Sequence, residues 1–392
     1  MISIEDAISA VKNNTSPLFE KTTKVVEKAN GYILSEDVLS PINMPPFRQS
    51  AMDGYALHSH ADLVYNLIDE VKAGDEHQPV LKLGEAVRIF TGAAVPDTAN
   101  AVMMQEKVIV NGSSIEIEHQ LNLEHNIRPL GEQVKAGAIA LKKGTKLTPA
   151  GIGYLTSLGI TEVSVFRKPN IAIVTTGNEL IEPGQPLTHG KIYESNSKML
   201  QSVLYSLKYY DVSLHKVEDD YSKTVDLLKS VIKKNDLVLI TGGISVGDYD
   251  YVGKALNEVE VEQVFYKVKQ KPGKPLFFGK KGNTSIFALP GNPAAALSCF
   301  YAYVYIALQK MMNRESLELQ RVQALSTSKF IKRGDRPQFL KAIFNNGKVE
   351  LLEGQNSSML QTFALSNALV FVPAEVSEVS IGDELETILL PV

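Results

Sequence analysis

Three segments of this 392-residue chain run from an apolar strand into a glycine- or proline-rich polar turn and then into a helical pattern. They are residues 171–179 (IAIVTTGNE), 237–243 (LVLITGG) and 286–293 (IFALPGNP). In a parallel α/β sheet such turns gather beyond the carboxyl ends of the strands, where ligands bind. Glycine lets backbone come close to a ligand, and the free N–H groups of a helix start favour anions. The turn 241–250 (TGGISVGDYD) exposes N–H groups at Gly242 and Gly243, a hydroxyl at Ser245 and carboxylates at Asp248 and Asp250. That set suits phosphate held through a divalent cation. A tight turn with Asp as helix cap explains part of the same pattern.

Other residue types reinforce an anionic ligand. Alternation from Lys267 through Lys269 to Lys271 predicts three ammonium groups on one strand face, and Pro272-Gly273 bends the chain so that Lys274 approaches them. A solvated edge strand guarded by lysines is the competing explanation. No GxxxxGK[ST] phosphate loop occurs. The turn Pro290-Gly291-Asn292-Pro293 is rigid and opens a helix. Glu179 is a candidate metal or hydroxyl partner. Asp53 and Thr91 sit in sharp turns, 50–56 (SAMDGYA) and 91–96 (TGAAVP), where an Asx turn accounts for Asp53 equally well. The seven histidines show no ligand spacing.

These residues need a scaffold, and the pattern supplies one. Strands near 171–176, 212–217, 237–241 and 285–289 alternate with helices near 195–208, 221–234, 250–257 and 294–312, which implies βαβ units. Residues 3–29 read as helical. Residues 45–138 carry short strands and many turns, among them Asn111-Gly112 between two alternating runs, a hairpin signal. Thr148-Pro149 starts a helix, and a strand follows at 162–166. Beyond residue 320 alternating runs and Asn345-Asn346-Gly347 predict a β-barrel. The expected class is multidomain α/β plus β. Residues 1–44 with 139–168 form an extended discontinuous domain, 45–138 a β-rich insertion, 169–320 the α/β domain and 321–392 the barrel.

Composition narrows the function. With 40 basic and 44 acidic residues the formal charge is −4, which argues against a general nucleic-acid binder. The single cysteine, Cys299, excludes an intrachain disulfide and a cysteine zinc site. The uncharged stretch 294–308 is shorter than the roughly 20 residues a membrane span needs, and the first residues lack a signal-peptide pattern. The expectation is a soluble cytoplasmic protein.

Taken in order, these segments resemble the molybdenum insertases, the family of bacterial molybdopterin molybdenumtransferases and the gephyrin E domain. The matching residues are Pro45-Pro46-Phe47 with 50–56 (SAMDGYA), Thr91-Gly92-Ala93 with Pro96, Arg128, Gly131-Glu132, 176–180 (TGNEL), Gly190-Lys191-Ile192, Ser195-Asn196, 242–251, 271–275 (KPGKP) and 289–293 (LPGNP). The resemblance implies an elongated homodimer whose active site is shared between chains. The implied reaction joins molybdate to adenylylated molybdopterin with Mg²⁺-dependent release of AMP, downstream of a molybdopterin adenylyltransferase. It further implies catalytic roles for Asp53, Glu179, Asp250, Lys267 and Lys271. Metal binding falls to Asp219, Asp250 and Glu179. Substrate binding falls to Thr91, Gly242, Gly243, Ser245, Lys274, Pro290, Gly291, Asn292, Pro293, Lys341 and Ser357. Gln133 stands where many relatives have Asp, Arg48 where Asp is frequent, and Tyr193-Glu194 where Arg-Asp is usual. A binding carrier without turnover is the alternative that Gln133 favours. A nucleotidyltransferase would share the α/β loops but not the insertion and the barrel.

Overall fold

A computed structural model describes residues 1–243 and 251–391. These form two compact units, one of residues 21–166 and the other of residues 1–20 with 167–392.

The first helix, α1 (Ile4–Asn14), is capped by Ser3, whose hydroxyl accepts from the Asp6 N–H, and it buries Ile4, Ala7 and Val11. It ends fifteen residues before the predicted 29: Thr15 is already extended, Pro17 cannot continue the helix, and β1 (Lys21–Val25) follows. β1 pairs antiparallel with the strand at 162–166, a partner far away in sequence that local periodicity cannot reveal.

In the 21–166 unit, β2 (Gly54–Leu57), β3 (Val64–Val71), β4 (Glu85–Ile89), β5 (Ala101–Met104), β6 (Val108–Asn111) and β7 (Ser114–Ile117) form one mixed sheet in the order β5-β2-β4-β3-β7-β6. The β6–β7 hairpin turns through Gly112 at φ 64°, as Asn-Gly predicts. Helix α2 (Pro149–Ser157) starts at Thr148, which accepts from the Gly151 N–H, and β8 (Glu162–Phe166) closes on β1.

The second unit contains β9 (Ile171–Thr176), α3 (Asn196–Ser206), β10 (Val212–Val217), α4 (Tyr221–Lys234), β11 (Leu237–Thr241), α5 (Tyr251–Glu258), β12 (Glu262–Tyr266), β13 (Phe277–Lys281) and β14 (Thr284–Leu289). The sheet order is β10-β9-β11-β14-β13-β12. Its first four strands are parallel, as expected, but β13 and β12 add to the edge antiparallel, so the sheet is mixed. Alternation sends Ala172, Val174, Val238, Ile240, Ile286 and Ala288 to the face covered by α4 and α5. Register aligns Thr175 with Thr241 and Thr241 with Leu289, which brings the three polar turns to one sheet edge.

The apolar stretch after Pro293 is one buried rod: α6 (Pro293–Cys299), a π-helical turn at Phe300–Val304, and α7 (Tyr305–Met311). Among the described residues no helix is long and apolar enough to cross a membrane. The chain then closes a five-stranded barrel from β15 (Arg321–Ser326), β16 (Gln338–Asn345), β17 (Lys348–Leu351), β18 (Ala368–Val372) and β19 (Glu384–Leu389), filled by Leu340, Ala342, Val349, Val370 and Val372. The β16–β17 turn places Asn346 and Gly347 at φ 46° and 76°, the left-handed pair that a two-residue hairpin demands.

Candidate functional site

The aligned strand ends open into a cavity of about 940 Å³. Its walls come from the turns after β9, β11 and β14, from 271–275, and from the barrel residues Arg336 and 355–358.

After β9, the Asp219 carboxylate accepts from Thr176 Oγ1 at 2.7 Å and from the Asn178 N–H at 3.1 Å. The Asp219 N–H returns a bond to Asn178 Oδ1 at 3.2 Å. Asp219 therefore braces the turn from behind and does not line the cavity. Glu179 does line it, and no described residue donates to its carboxylate. After β11, Gly242 has φ 88° and its missing Cβ leaves room for the Thr176 carbonyl. Gly243 has φ 62°, with space only for hydrogen between Thr176 and Val252. Ser245, Asp248 and Asp250 lie outside the described residues. After β14, the Gly291 carbonyl accepts from Asn196 Nδ2 at 2.8 Å, and Asn196 also reaches Thr241 Oγ1 at 2.7 Å, tying two turns together. Asn292 Nδ2 donates to Ser357 Oγ at 3.0 Å, joining the third turn to the barrel. Pro290 and Pro293 flank it on the wall.

The lysine segment differs from expectation. β12 ends at Tyr266, and Lys267 takes φ 68° with Nζ 4.7 Å from the Tyr266 ring centroid, off the cavity wall. No strand alternation aligns Lys267, Lys269 and Lys271. Lys271 and Lys274 nevertheless reach the wall, because the Lys271 N–H donates to Pro337 O and its carbonyl accepts from the Phe339 N–H, both at 2.9 Å.

Lys341 is placed elsewhere than the resemblance implies. It lies beneath the barrel loop, 4% exposed, and Nζ donates to the carbonyls of Gly354, Asn356 and Met359 at 2.7, 3.2 and 3.0 Å. It pins the loop that carries Ser357 instead of facing the cavity. Burial pulls its ammonium down to about 8. A lysine depressed in the fold carries a penalty below that value, and the penalty is relieved as pH rises toward the ordinary 10.5. The stability difference between the unmodified chain and Lys341→Met is expected to grow in favour of the unmodified chain between pH 8 and 10.5, read by urea melts across that window.

Sequence reasoning missed Arg336. It lines the cavity, Nη1 donates to Gln270 O at 2.9 Å, and no other described residue accepts from its guanidinium. It also gave Glu194 no role. Glu194 is 3% exposed and accepts from the Ser197 N–H and hydroxyl at 2.8 and 2.5 Å, so this carboxylate caps α3, while Ser195 at the N-cap position makes no side-chain cap bond. Arg48 is structural, bonded to Ala99 O at 2.9 Å and Glu124 at 3.0 Å.

In the other unit, Asp53 Oδ1 accepts from both the N–H and the hydroxyl of Thr91, each at 2.7 Å. The Thr91 backbone bond, then its hydroxyl, holds the Asp53 carboxyl below the ordinary 3.8, with nearby Arg88 adding to the effect. Thr91→Val removes the hydroxyl bond, so the Asp53 pKa is expected to rise toward 3.8 in a carboxyl-carbon NMR titration.

Among the described residues no three His, Cys, Asp or Glu side chains cluster to hold a metal. Mg²⁺ is commonly bound by one or two carboxylates completed by phosphate oxygens and water. Glu179, an unengaged hard oxygen donor on the wall of a cationic cavity, suits that mode.

An α/β module with ligand turns at one sheet edge, followed by a β-barrel that completes the cavity, defines a multidomain α/β-plus-β protein that takes its ligand at the strand ends. Three family models match in order: the MoeA N-terminal region (domains I and II) over 2–159, a probable molybdopterin binding domain over 172–310, and the MoeA C-terminal region (domain IV) over 323–390. The chain belongs to the MoeA family. It is 34% identical to the molybdopterin molybdenumtransferase of Haemophilus influenzae over 91% of each chain. It is 30% identical to that of Staphylococcus epidermidis strain RP62A, over 99% of this chain and 95% of the relative. The crystal structure of the molybdopterin biosynthesis MoeA protein from Pyrococcus horikoshii superposes with a TM-score of 0.83 at 29% identity, covering 99% of this chain and all of that one.

Proposed function

We propose that the chain acts in molybdenum cofactor biosynthesis by inserting molybdate into adenylylated molybdopterin, with Mg²⁺-dependent release of AMP. The observation that carries this reading is the meeting of Lys271, Lys274, Arg336 and Glu179 on one cavity with the glycine turns of a molybdopterin-type domain. Glycine backbone and the start of α6 suit the pyrophosphate of the ligand. Lys271, Lys274 and Arg336 hold phosphate and molybdate oxygens, with Ser357 as hydroxyl donor. Glu179 holds Mg²⁺, with Asp250 as a further carboxylate, and bound Mg²⁺ supplies neutralisation of the phosphate charge. No protein nucleophile is invoked: Cys299 is buried and its thiol is pushed up to about 12.

The same proposal includes a cytoplasmic homodimer in which Asp53 and Thr91 of one chain serve the other chain's cavity, supplied by a molybdopterin adenylyltransferase. Titration of adenylylated molybdopterin into the full chain tests it. Binding at least tenfold tighter with Mg²⁺ than with chelator is expected, and Glu179→Gln should remove most of that difference. Absence of binding under both conditions contradicts the proposal.

A further inference from the structure

Beneath the lysine turn lies a polar cluster in the core. Gln270 is 1% exposed, and Cys299 and Tyr303 are fully buried. Gln270 Nε2 donates to Gly273 O at 3.1 Å and to Cys299 Sγ at 3.4 Å, and Gln270 Oε1 accepts from Tyr303 Oη. Every polar atom of the Gln270 amide is engaged. Its backbone is engaged as well, since the Gln270 carbonyl accepts from Arg336 Nη1 at 2.9 Å. The next residue is Lys271.

Packing alone does not call for this cluster. A methionine at 270 and a phenylalanine at 303 would fill the same space without burying polar atoms, which cost free energy unless fully satisfied. The cluster also sits on an irregularity. Tyr303 belongs to the π-helical turn Phe300–Val304, a departure from α geometry that in proteins is often found beside functional sites. Gly273 is held tightly against this cluster: at φ 84° a Cβ would collide with Cys299 Sγ and lie 2.9 Å from Gln270 Nε2.

We infer that Gln270, anchored by Tyr303, is the positioning residue of the oxyanion site. Its side chain fixes the bend between Lys271 and Lys274, and its carbonyl fixes Arg336. One buried amide thereby sets the spacing of all three cations. This inference rests on the cavity being the molybdate site.

The test measures molybdate affinity by isothermal titration at 15 °C and thermal midpoint separately, using the full chain. Tyr303→Phe leaves Gln270 Oε1 buried without a donor. It is expected to weaken molybdate binding about tenfold, the scale of the penalty for a buried acceptor left without a donor. The double variant Gln270→Met/Tyr303→Phe exchanges both partners for apolar groups of similar size. It should recover much of the thermal midpoint lost in Tyr303→Phe. Its molybdate affinity should stay weak, because the lysine turn has lost its anchor. A double variant that binds molybdate as tightly as the unmodified chain overturns the positioning role. Absence of molybdate binding by the unmodified chain overturns both this inference and the reading beneath it.

Discussion

Arg336→Ala is expected to reduce kcat/KM for molybdate about 100-fold, with the thermal midpoint little changed. The size follows from the chemistry of the bonds that the guanidinium makes to an oxyanion: hydrogen bonds between a charged donor and an anion are worth roughly 1.5–3 kcal/mol, and each 1.4 kcal/mol is tenfold. The selectivity follows from position. Arg336 is half-buried on the cavity wall and gives the fold a single hydrogen bond, to Gln270 O. Arg336→Lys keeps the charge but loses the planar fork that grips two oxygens of one oxyanion. It should recover only part of the loss. Steady-state kinetics over a range of molybdate concentrations checks this, and the defect should appear mainly as a raised KM for molybdate. A variant with unchanged KM and turnover removes Arg336 from the site.

Gly242→Ala should be as damaging by a different route. Gly242 sits at φ 88°, a region that costs an L-residue about 1–2 kcal/mol, and an added Cβ would run into the backbone oxygen of Thr176. That oxygen belongs to the neighbouring strand end and has no freedom to move without parting β9 from β11. A fall in thermal midpoint of roughly 5 °C or more is expected, with ligand binding lost because the two turns no longer share one edge. Gly291→Ala is the matched control. The nearest heavy atom to a Cβ there is 3.9 Å away and the backbone is not left-handed, so the fold should tolerate it. Equal stability of the two variants would contradict the steric account.

What is legible in the chain is local. The strands that open the three strand-to-turn segments, the Asn111-Gly112 and Asn346-Gly347 hairpins and the Thr148-Pro149 helix start each carry their own conformational instruction and form as read, although two short strands and a loop separate Glu179 from the helix at Asn196. What escapes depends on distant partners. The pairing of β1 with β8 joins segments separated by well over a hundred residues. The antiparallel edge formed by β12 and β13 depends on Gly279, where a Cβ would meet Glu262 O at 2.8 Å. Alternation assigns Lys267 to a strand face because it is blind to a left-handed residue. Arg336 stands in an unremarkable turn, and the bridge between Lys271 and Gln338, with its own bond to Gln270 O, carries it to the cavity. Lys341 shows the converse: its place in the chain matches the family, while its three carbonyl acceptors make it a loop pin.

AMP release by the purified full chain, given adenylylated molybdopterin and Mg²⁺ with and without molybdate, separates insertion from binding alone. Release is expected to depend on molybdate and to yield cofactor able to activate a molybdenum apo-enzyme, with Gln133 tolerated. Tight binding of the adenylylated ligand with no AMP released under either condition would contradict insertion and identify the chain as a carrier.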